Sequence, residues 1–338
     1  MPKTLLIYSL GGGWGHLNRS LALARVAAQK YKIKLISNSP YLALSNTANY
    51  KLFAISPETS FKQTKKAIAQ TIEQESFDCL VVDTFPRGLG GELSDLLPKI
   101  GQPKILVNRY LNPEYIHRYQ LKEFVRQNYN LILIPGENIP SDFANLLPTI
   151  KTAPWLIRSS PELADLPTAA NLLGLTLEQI QQPLIAVLAS GYKSELTLYG
   201  AIAHLLSQQG YTVRCMSATL PPNCPTDIWR FHYPALECLW LADIVIGSGG
   251  YNTIFECDRL DLPLIAIPHQ RLYDCQKRRI TLQQQSKCWL AKDKFEAVKL
   301  TQQSLSRIQS QSPKSKLYQN GVVEAVNWIE HCLKQSRF

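Results

Sequence analysis

Two glycine loops, each set between an apolar run and a helical pattern, constrain this chain most. Thr4 to Leu10 is continuously apolar, Gly11-Gly12-Gly13-Trp14-Gly15-His16 follows, and apolar residues then recur at helical spacing through Leu17, Leu21, Ala24 and Ala28. Near the other end, Ile244-Val-Ile-Gly-Ser-Gly-Gly250 leads directly into a helix opening at about Tyr251. A continuous apolar run suits a strand buried on both faces of a parallel sheet. Gly247, Gly249 and Gly250 allow close backbone approach. A helix start behind such a turn aims unpaired N–H groups at it, which favours an anion there. Glu256, about one and a half turns into that helix, sets a carboxylate beside the anion seat. Phosphate on amides and ribose hydroxyls on an acid describe a nucleotide; the alternative is an ordinary strand–turn–helix junction with a solvated Glu.

The alternation continues. Strands are expected at Lys32–Ser37, Phe77–Asp83, Lys104–Asn108 and Leu131–Pro135, and helices at Phe61–Gln74, Pro86–Leu97 (after a turn) and Glu114–Gln127. Pro140 to Pro167 is proline-rich and irregular, and the change of domain falls there, near Arg158. Strands then recur at Leu184–Ala189, Tyr211–Met216, Asp243–Ile246, Leu264–Ile267 and Lys287–Leu290. Helices are expected at Ser194–Gln208, Ala235–Leu241, Tyr273–Gln284, Glu296–Gln309 and Gly321–Lys334. The pattern predicts an α/β protein of two open parallel sheets, with ligand at the carboxyl ends of the strands. The domains expected are 1–153, 154–320 and a terminal helix, 321–338, crossing back to the first.

With 338 residues, 45% hydrophobic content and only 18% charged residues, the chain has material for two cores and little for long disordered tails. A formal net charge of +10 favours acidic partners without choosing among them. The eight cysteines include no Cys-x-x-Cys pair, so neither a zinc knuckle nor a thioredoxin-type site is expected. A start reading Met-Pro-Lys-Thr and no membrane-length apolar run lead to the expectation of a cytoplasmic protein, peripheral contact with a membrane face left open.

The first loop fails both phosphate fingerprints. Gly-x-Gly-x-x-Gly ends on His16 or Asn18, the second strand ends in Ser37 and Asn38 with no acid for a ribose, and no Gly-Lys-Ser/Thr follows. What the loop offers is His16 at a helix N-terminus, where the positive helix end lowers an imidazole pKa. A neutral imidazole serves as a general base; the alternative is a histidine capping its helix. Asp83 ends its strand on the same side of the sheet, able to hold the ring in the useful tautomer or to cap the next turn.

Gly-Gly-Gly-Trp-Gly-His16-Leu-Asn-Arg19, Ala-Asp243-Ile-Val-Ile-Gly-Ser-Gly-Gly-Tyr-Asn-Thr-Ile-Phe-Glu256 and Leu-Pro263-Leu-Ile-Ala-Ile-Pro268 together resemble the GT-B glycosyltransferases. The nearest resemblance is to family 28, the group containing the peptidoglycan N-acetylglucosaminyltransferase and diacylglycerol sugar transferases. The first motif is also shared with a GT-B nucleotide-sugar hydrolase. The resemblance implies two Rossmann-like domains facing across a cleft and an inverting, metal-independent transfer of a sugar from a UDP-sugar to an acceptor hydroxyl, with His16 and Asp83 catalytic. It implies donor contacts from Gly13, Gly15, Arg158, Ser190, Gly191, Ser248, Gly249, Gly250, Asn252, Thr253, Glu256, His269, Gln270, Asp274 and Gln276. No cofactor is implied, since the nucleotide sugar is a co-substrate. No Asp-x-Asp pair occurs, and the Glu of many retaining enzymes, eight positions before Glu256, is here Ser248. The alternatives are a nucleotide-sugar hydrolase, with His16 activating water, and a non-catalytic nucleotide-sugar-binding protein. The acceptor is marked only by Arg109, Tyr110, Tyr115, His117, Arg118, Tyr119, Lys122 and Arg126, which fit a lipid-presenting surface, a small-molecule acceptor, or a plain solvated helix. No nucleic-acid module or basic tail is present.

Overall fold

The computed structural model describes residues 2–45, 49–137, 141–283, 287–307 and 317–335. The expected features at Pro140, Gln284 and Gln309 lie outside these residues. The chain divides into two compact units: Met1–Leu156 with Leu272–Asp274 and Asn320–Phe338, and Ile157–Arg271 with Cys275–Gln319.

In chain order the first unit holds β1 (Thr4–Ser9), α1 (Trp14–Ala27), β2 (Lys32–Ser37), β3 (Lys51–Ala54), α2 (Phe61–Gln74), β4 (Cys79–Asp83), β5 (Lys104–Val107), α3 (Pro113–Arg118), α4 (Leu121–Asn128), β6 (Leu131–Pro135) and β7 (Thr149–Thr152). The second holds α5 (Leu166–Leu173), α6 (Leu177–Ile180), β8 (Leu184–Leu188), α7 (Lys193–Gln208), β9 (Thr212–Met216), β10 (Trp229–Arg230), α8 (Leu236–Leu239), β11 (Ile244–Ser248), α9 (Tyr251–Arg259), β12 (Leu264–Ile267), α10 (Gln276–Gln283), β13 (Cys288–Leu290) and α11 (Lys294–Leu305). Helix α12 (Val322–Gln335) returns to the first unit and packs against α1, with Lys3 Nζ donating to Leu333 O at 3.1 Å.

Both sheets are parallel throughout. Their strand orders are β3-β2-β1-β4-β5-β6-β7 and β10-β9-β8-β11-β12-β13. In each, the chain leaves a central strand in one direction and later returns to its other side: β1 lies between β2 and β4, β8 between β9 and β11. Connections diverging from adjacent strands open a crevice at their carboxyl ends. The glycine loop after β1 and Asp83 at the end of β4 flank one crevice. The loops after β8 and β11 flank the other.

Burial explains the apolar runs. Leu6, Tyr8, Leu80, Val82, Leu106 and Ile132 form one face of the first sheet's core, and Ile185, Val187, Val213, Ile244, Ile246 and Ile265 meet α7 and α11 in the second. Each such aliphatic side chain contributes about 1.5–3 kcal/mol on full burial. The strands missing from the sequence reading, β3, β7 and β10, all lie at or next to a sheet edge, where half-exposed residues leave no apolar run. Helix α5 was also legible in principle, with Asp165 as its N-cap and Gly174 in the left-handed region at its end.

Two expected helices differ. Glu114–Gln127 divides into α3 and α4 because Gln120 takes φ 49°. Pro86–Leu97 forms turns that end in a 3-10 segment, Leu97–Lys99. Gly88 and Gly91 have φ 84° and 90°, and the loop wraps a buried carboxylate instead of a helix axis. Glu92, 1% exposed, accepts from Leu89 N at 3.2 Å, Gly90 N at 2.7 Å and the Tyr8 hydroxyl. Glu92→Ala removes the acceptor of the buried Tyr8 hydroxyl and of Gly90 N and is expected to cost about 1–3 kcal/mol, seen as a lower urea midpoint with an unchanged slope.

Candidate functional site

In the first unit, α1 begins at the carboxyl end of β1 with Gly13 as its extended N-cap residue and no side-chain cap. This start brings His16 to Asp83. His16 Nδ1 lies 2.6 Å from Asp83 Oδ2, with side-chain exposures of 17% and 2%. Arg19, one turn further along α1 and fully buried, grips the same carboxylate with Nε to Oδ1 at 2.6 Å and Nη2 to Oδ2 at 2.7 Å. Nη2 also donates to Thr84 Oγ1 at 2.8 Å, and Thr84 holds φ 68° there, a conformation that needs support from its surroundings.

Burial alone would raise the Asp83 pKa. The Arg19 charge and the His16 and Arg19 hydrogen bonds outweigh it and hold the carboxyl well below its usual range. An ionised Asp83 can only accept, so Nδ1 carries the ring proton and Nε2 presents a lone pair. Burial lowers the His16 pKa, Asp83 opposes this in part, and the charges of Arg19 and Arg109 reinforce it. The expected direction stands, and desolvation by burial is its largest cause. Among the described residues Nε2 has no hydrogen-bond partner. A Cβ on Gly11 would lie 2.1 Å from His16 Cδ2, so Gly11 is the glycine that the ring requires. Gly13 and Gly15 are different: a Cβ on either would meet nothing within 4 Å, which leaves that side of the loop open. Asn38, the residue standing where a ribose-binding acid was missing, accepts from Gly11 N at 2.8 Å. Phe85 stacks on His16 with centroids 5.3 Å apart, and Tyr273 meets Phe85 edge-on.

In the second unit, Gly250 is the extended N-cap residue of α9, with no side-chain cap and no acid in the first turn. Its N–H donates to Ser248 Oγ at 3.3 Å. Asn252 and Thr253 occupy the first turn, and the Thr253 methyl fills the space beside Gly247. Glu256 is buried, its carboxylate has no hydrogen-bond partner among the described residues, and desolvation pushes its pKa up to about 8.

The loop after β8 differs. Gly191, at φ 115°, lies against the Glu195 carboxylate, which accepts from Tyr192 N at 3.3 Å and so caps α7 from within. Arg271 clamps Glu195 through Nη1 at 2.6 Å and Nη2 at 2.7 Å. Ser190 precedes this turn, half-buried. After β12, His269 N donates to Gln276 Oε1 at 2.8 Å, and its Nε2 lies 2.8 Å from the Tyr199 hydroxyl. Gln270 pairs with Cys275 in a short antiparallel bridge.

Two further candidates have partners of their own. Arg158 donates to Glu237 Oε1 at 2.6 Å, and the other oxygen of that carboxylate is 2.8 Å from His232 Nε2. Asp274 belongs to the first unit, 3.4 Å from Arg109 Nη2. Sequence reasoning named Arg19 within the first motif but gave it no role, and it assigned none to Thr84, Glu195 or Arg271. Arg19 carried a signal, being three positions after His16 and so on the same helix face, and Glu195 another, being three positions after Tyr192, from whose N–H it accepts; Arg271 is joined to Glu195 only by the fold.

Residues 185–325 match the model of the glycosyltransferase family 28 C-terminal domain. A comparison with curated proteins finds no match. Among solved structures, spinosyn forosaminyltransferase SpnP is 13% identical over 99% of this chain and 96% of its own, with a TM-score of 0.64. A UDP-glucosyltransferase from Polygonum tinctorium capable of glucosylating indoxyl is 12% identical over 99% of both chains, with a TM-score of 0.61. Spinosyn rhamnosyltransferase SpnG, complexed with thymidine diphosphate, is 14% identical over 98% of this chain and 96% of its own, with a TM-score of 0.58. Residues 185–325 are thus similar to the C-terminal domain of glycosyltransferase family 28, and the chain as a whole has the GT-B glycosyltransferase fold.

Proposed function

We propose that this protein is an inverting glycosyltransferase that moves a sugar from a nucleotide sugar, a UDP-sugar, to an acceptor hydroxyl. The observation that carries the reading is the buried His16–Asp83–Arg19 array, with His16 Nε2 unpartnered among the described residues. As the acceptor oxygen attacks the anomeric carbon, His16 takes its proton at Nε2, Asp83 steadies the imidazolium, and the nucleoside diphosphate leaves. The uncapped start of α9, with Ser248, Gly249, Gly250, Asn252 and Thr253, receives the diphosphate, where its amides and helix end meet the developing charge without requiring a metal. Glu256 accepts the ribose hydroxyls. Ser190, Gly191, His269, Gln270 and Gln276 complete the donor seat. The family 28 match over residues 185–325 supports a nucleotide-sugar donor. The acceptor is a small molecule or a lipid; no described helix is long and apolar enough to cross a membrane.

Thermal-shift screening against UDP, GDP and TDP tests the donor seat, and nucleotide release with and without acceptor tests the reaction. Transfer needs the acceptor; release at a comparable rate in buffer alone identifies a hydrolase, and tight binding without turnover a sensor. His16→Ala is expected to cut kcat about 100-fold or more at little change in UDP affinity. Glu256→Ala is expected to weaken UDP binding instead, and reversed effects would refute both roles. Asp83 is a poorer probe, since its removal takes the carboxylate away from buried Arg19 at a cost of about 3–5 kcal/mol.

The pH dependences separate the two groups. His16 acts in its neutral form and burial holds its pKa below the ordinary imidazole value, so kcat should fall only on acidification below the range in which a free imidazole titrates. Glu256 binds ribose as a carboxylate, so UDP affinity should rise with pH until about pH 8 and then level off. Calorimetric titration of Glu256→Gln should show a flat profile.

A further inference from the structure

The donor seat has a buried cation behind it. Arg279, on α10, is 0% exposed, and its Nη1 donates to Gly249 O at 3.3 Å. The same helix supports the turn at two other points. A Cβ on Gly249 would lie 2.7 Å from Ile280 Cδ1 and 3.0 Å from Gln276 Cβ, so glycine is what lets α10 close against the loop. Gln276 also accepts from His269 N, tying the loop after β12 to the same support.

A trans peptide holds its C=O and N–H on opposite sides. A Gly249 carbonyl turned inward to Arg279 therefore turns the Gly250 N–H outward, where it meets Ser248 Oγ. Accepting that bond leaves the serine O–H to donate in turn. One inward hydrogen bond thus sets the Gly250 amide on the serine oxygen and leaves the serine hydroxyl to donate outward beside the start of α9.

We propose that Arg279 is a positioning residue for the donor diphosphate: it fixes the Gly249–Gly250 peptide so that the Gly250 amide holds Ser248 Oγ and the serine hydroxyl and the start of α9 face the phosphates. The inference rests on the nucleotide-sugar reading above. The probes are UDP, pyrophosphate and uridine, titrated by calorimetry into the full chain and into Arg279→Lys and Arg279→Gln, with thermal midpoints recorded alongside. UDP and pyrophosphate affinity should fall about 10-fold or more in Arg279→Gln, the size of one charge-assisted hydrogen bond, with partial recovery in Arg279→Lys and uridine unaffected. Equal losses for UDP and uridine, following the thermal midpoint, would reduce Arg279 to packing and overturn the inference. Wild-type UDP affinity in both variants would overturn it as well. A parent protein that binds no nucleoside diphosphate overturns the donor reading itself. The native chain supplies a test independent of folding in the variants: pyrophosphate should shift the Gly250 amide resonance, and an unmoved resonance at saturation excludes the proposed geometry.

Discussion

A carboxylate taken out of water must be met by charge and hydrogen bonds, and Asp83 organises the first unit around that demand. Arg19 supplies a two-point grip, and His16 occupies the remaining direction. A lone buried Asp would be driven toward its neutral form; here the opposing charges prevail and the acid stays ionised. That ionisation fixes the imidazole tautomer, and the tautomer decides which nitrogen is left for chemistry. The parallel sheet makes the meeting possible, since adjacent β1 and β4 end side by side.

The second unit solves the opposite problem. Its two glycine loops sit at one switch point, yet they are not equivalent. The α7 start is already satisfied by Glu195, an internal anion held by Arg271. The α9 start has no side-chain cap. A buried Glu256 nearby, its pKa raised to about 8, is a group whose desolvation is relieved only when something donates to it. An uncapped helix end beside an under-satisfied acid is the feature on which the proposed nucleotide seat rests.

Much of this was legible along the chain. Central strands bury both faces and so read as unbroken apolar runs; β1, β4, β6, β8 and β11 all appeared in that way. Edge strands bury little, and β3, β7 and β10 left no such trace. The helix expected over Pro86–Leu97 failed because a loop built around Glu92 is stabilised by contacts with Tyr8, far away in sequence. The pairing of Arg158 with Glu237, 79 positions on, could not be read along the chain.

By itself the sequence determined the α/β class, the two glycine turns, the helix starts behind them, and His16, Asp83 and Glu256 as the residues to watch. These follow from local rules: apolar period, glycine conformation and helix polarity. The tertiary structure alone decided which groups meet. It set Arg19 and His16 on one carboxylate, clamped Glu195 with Arg271, and placed Arg279 beneath Gly249. Partnerships between residues 30 to 76 positions apart depend on strand order and burial, and no window along the chain contains both members.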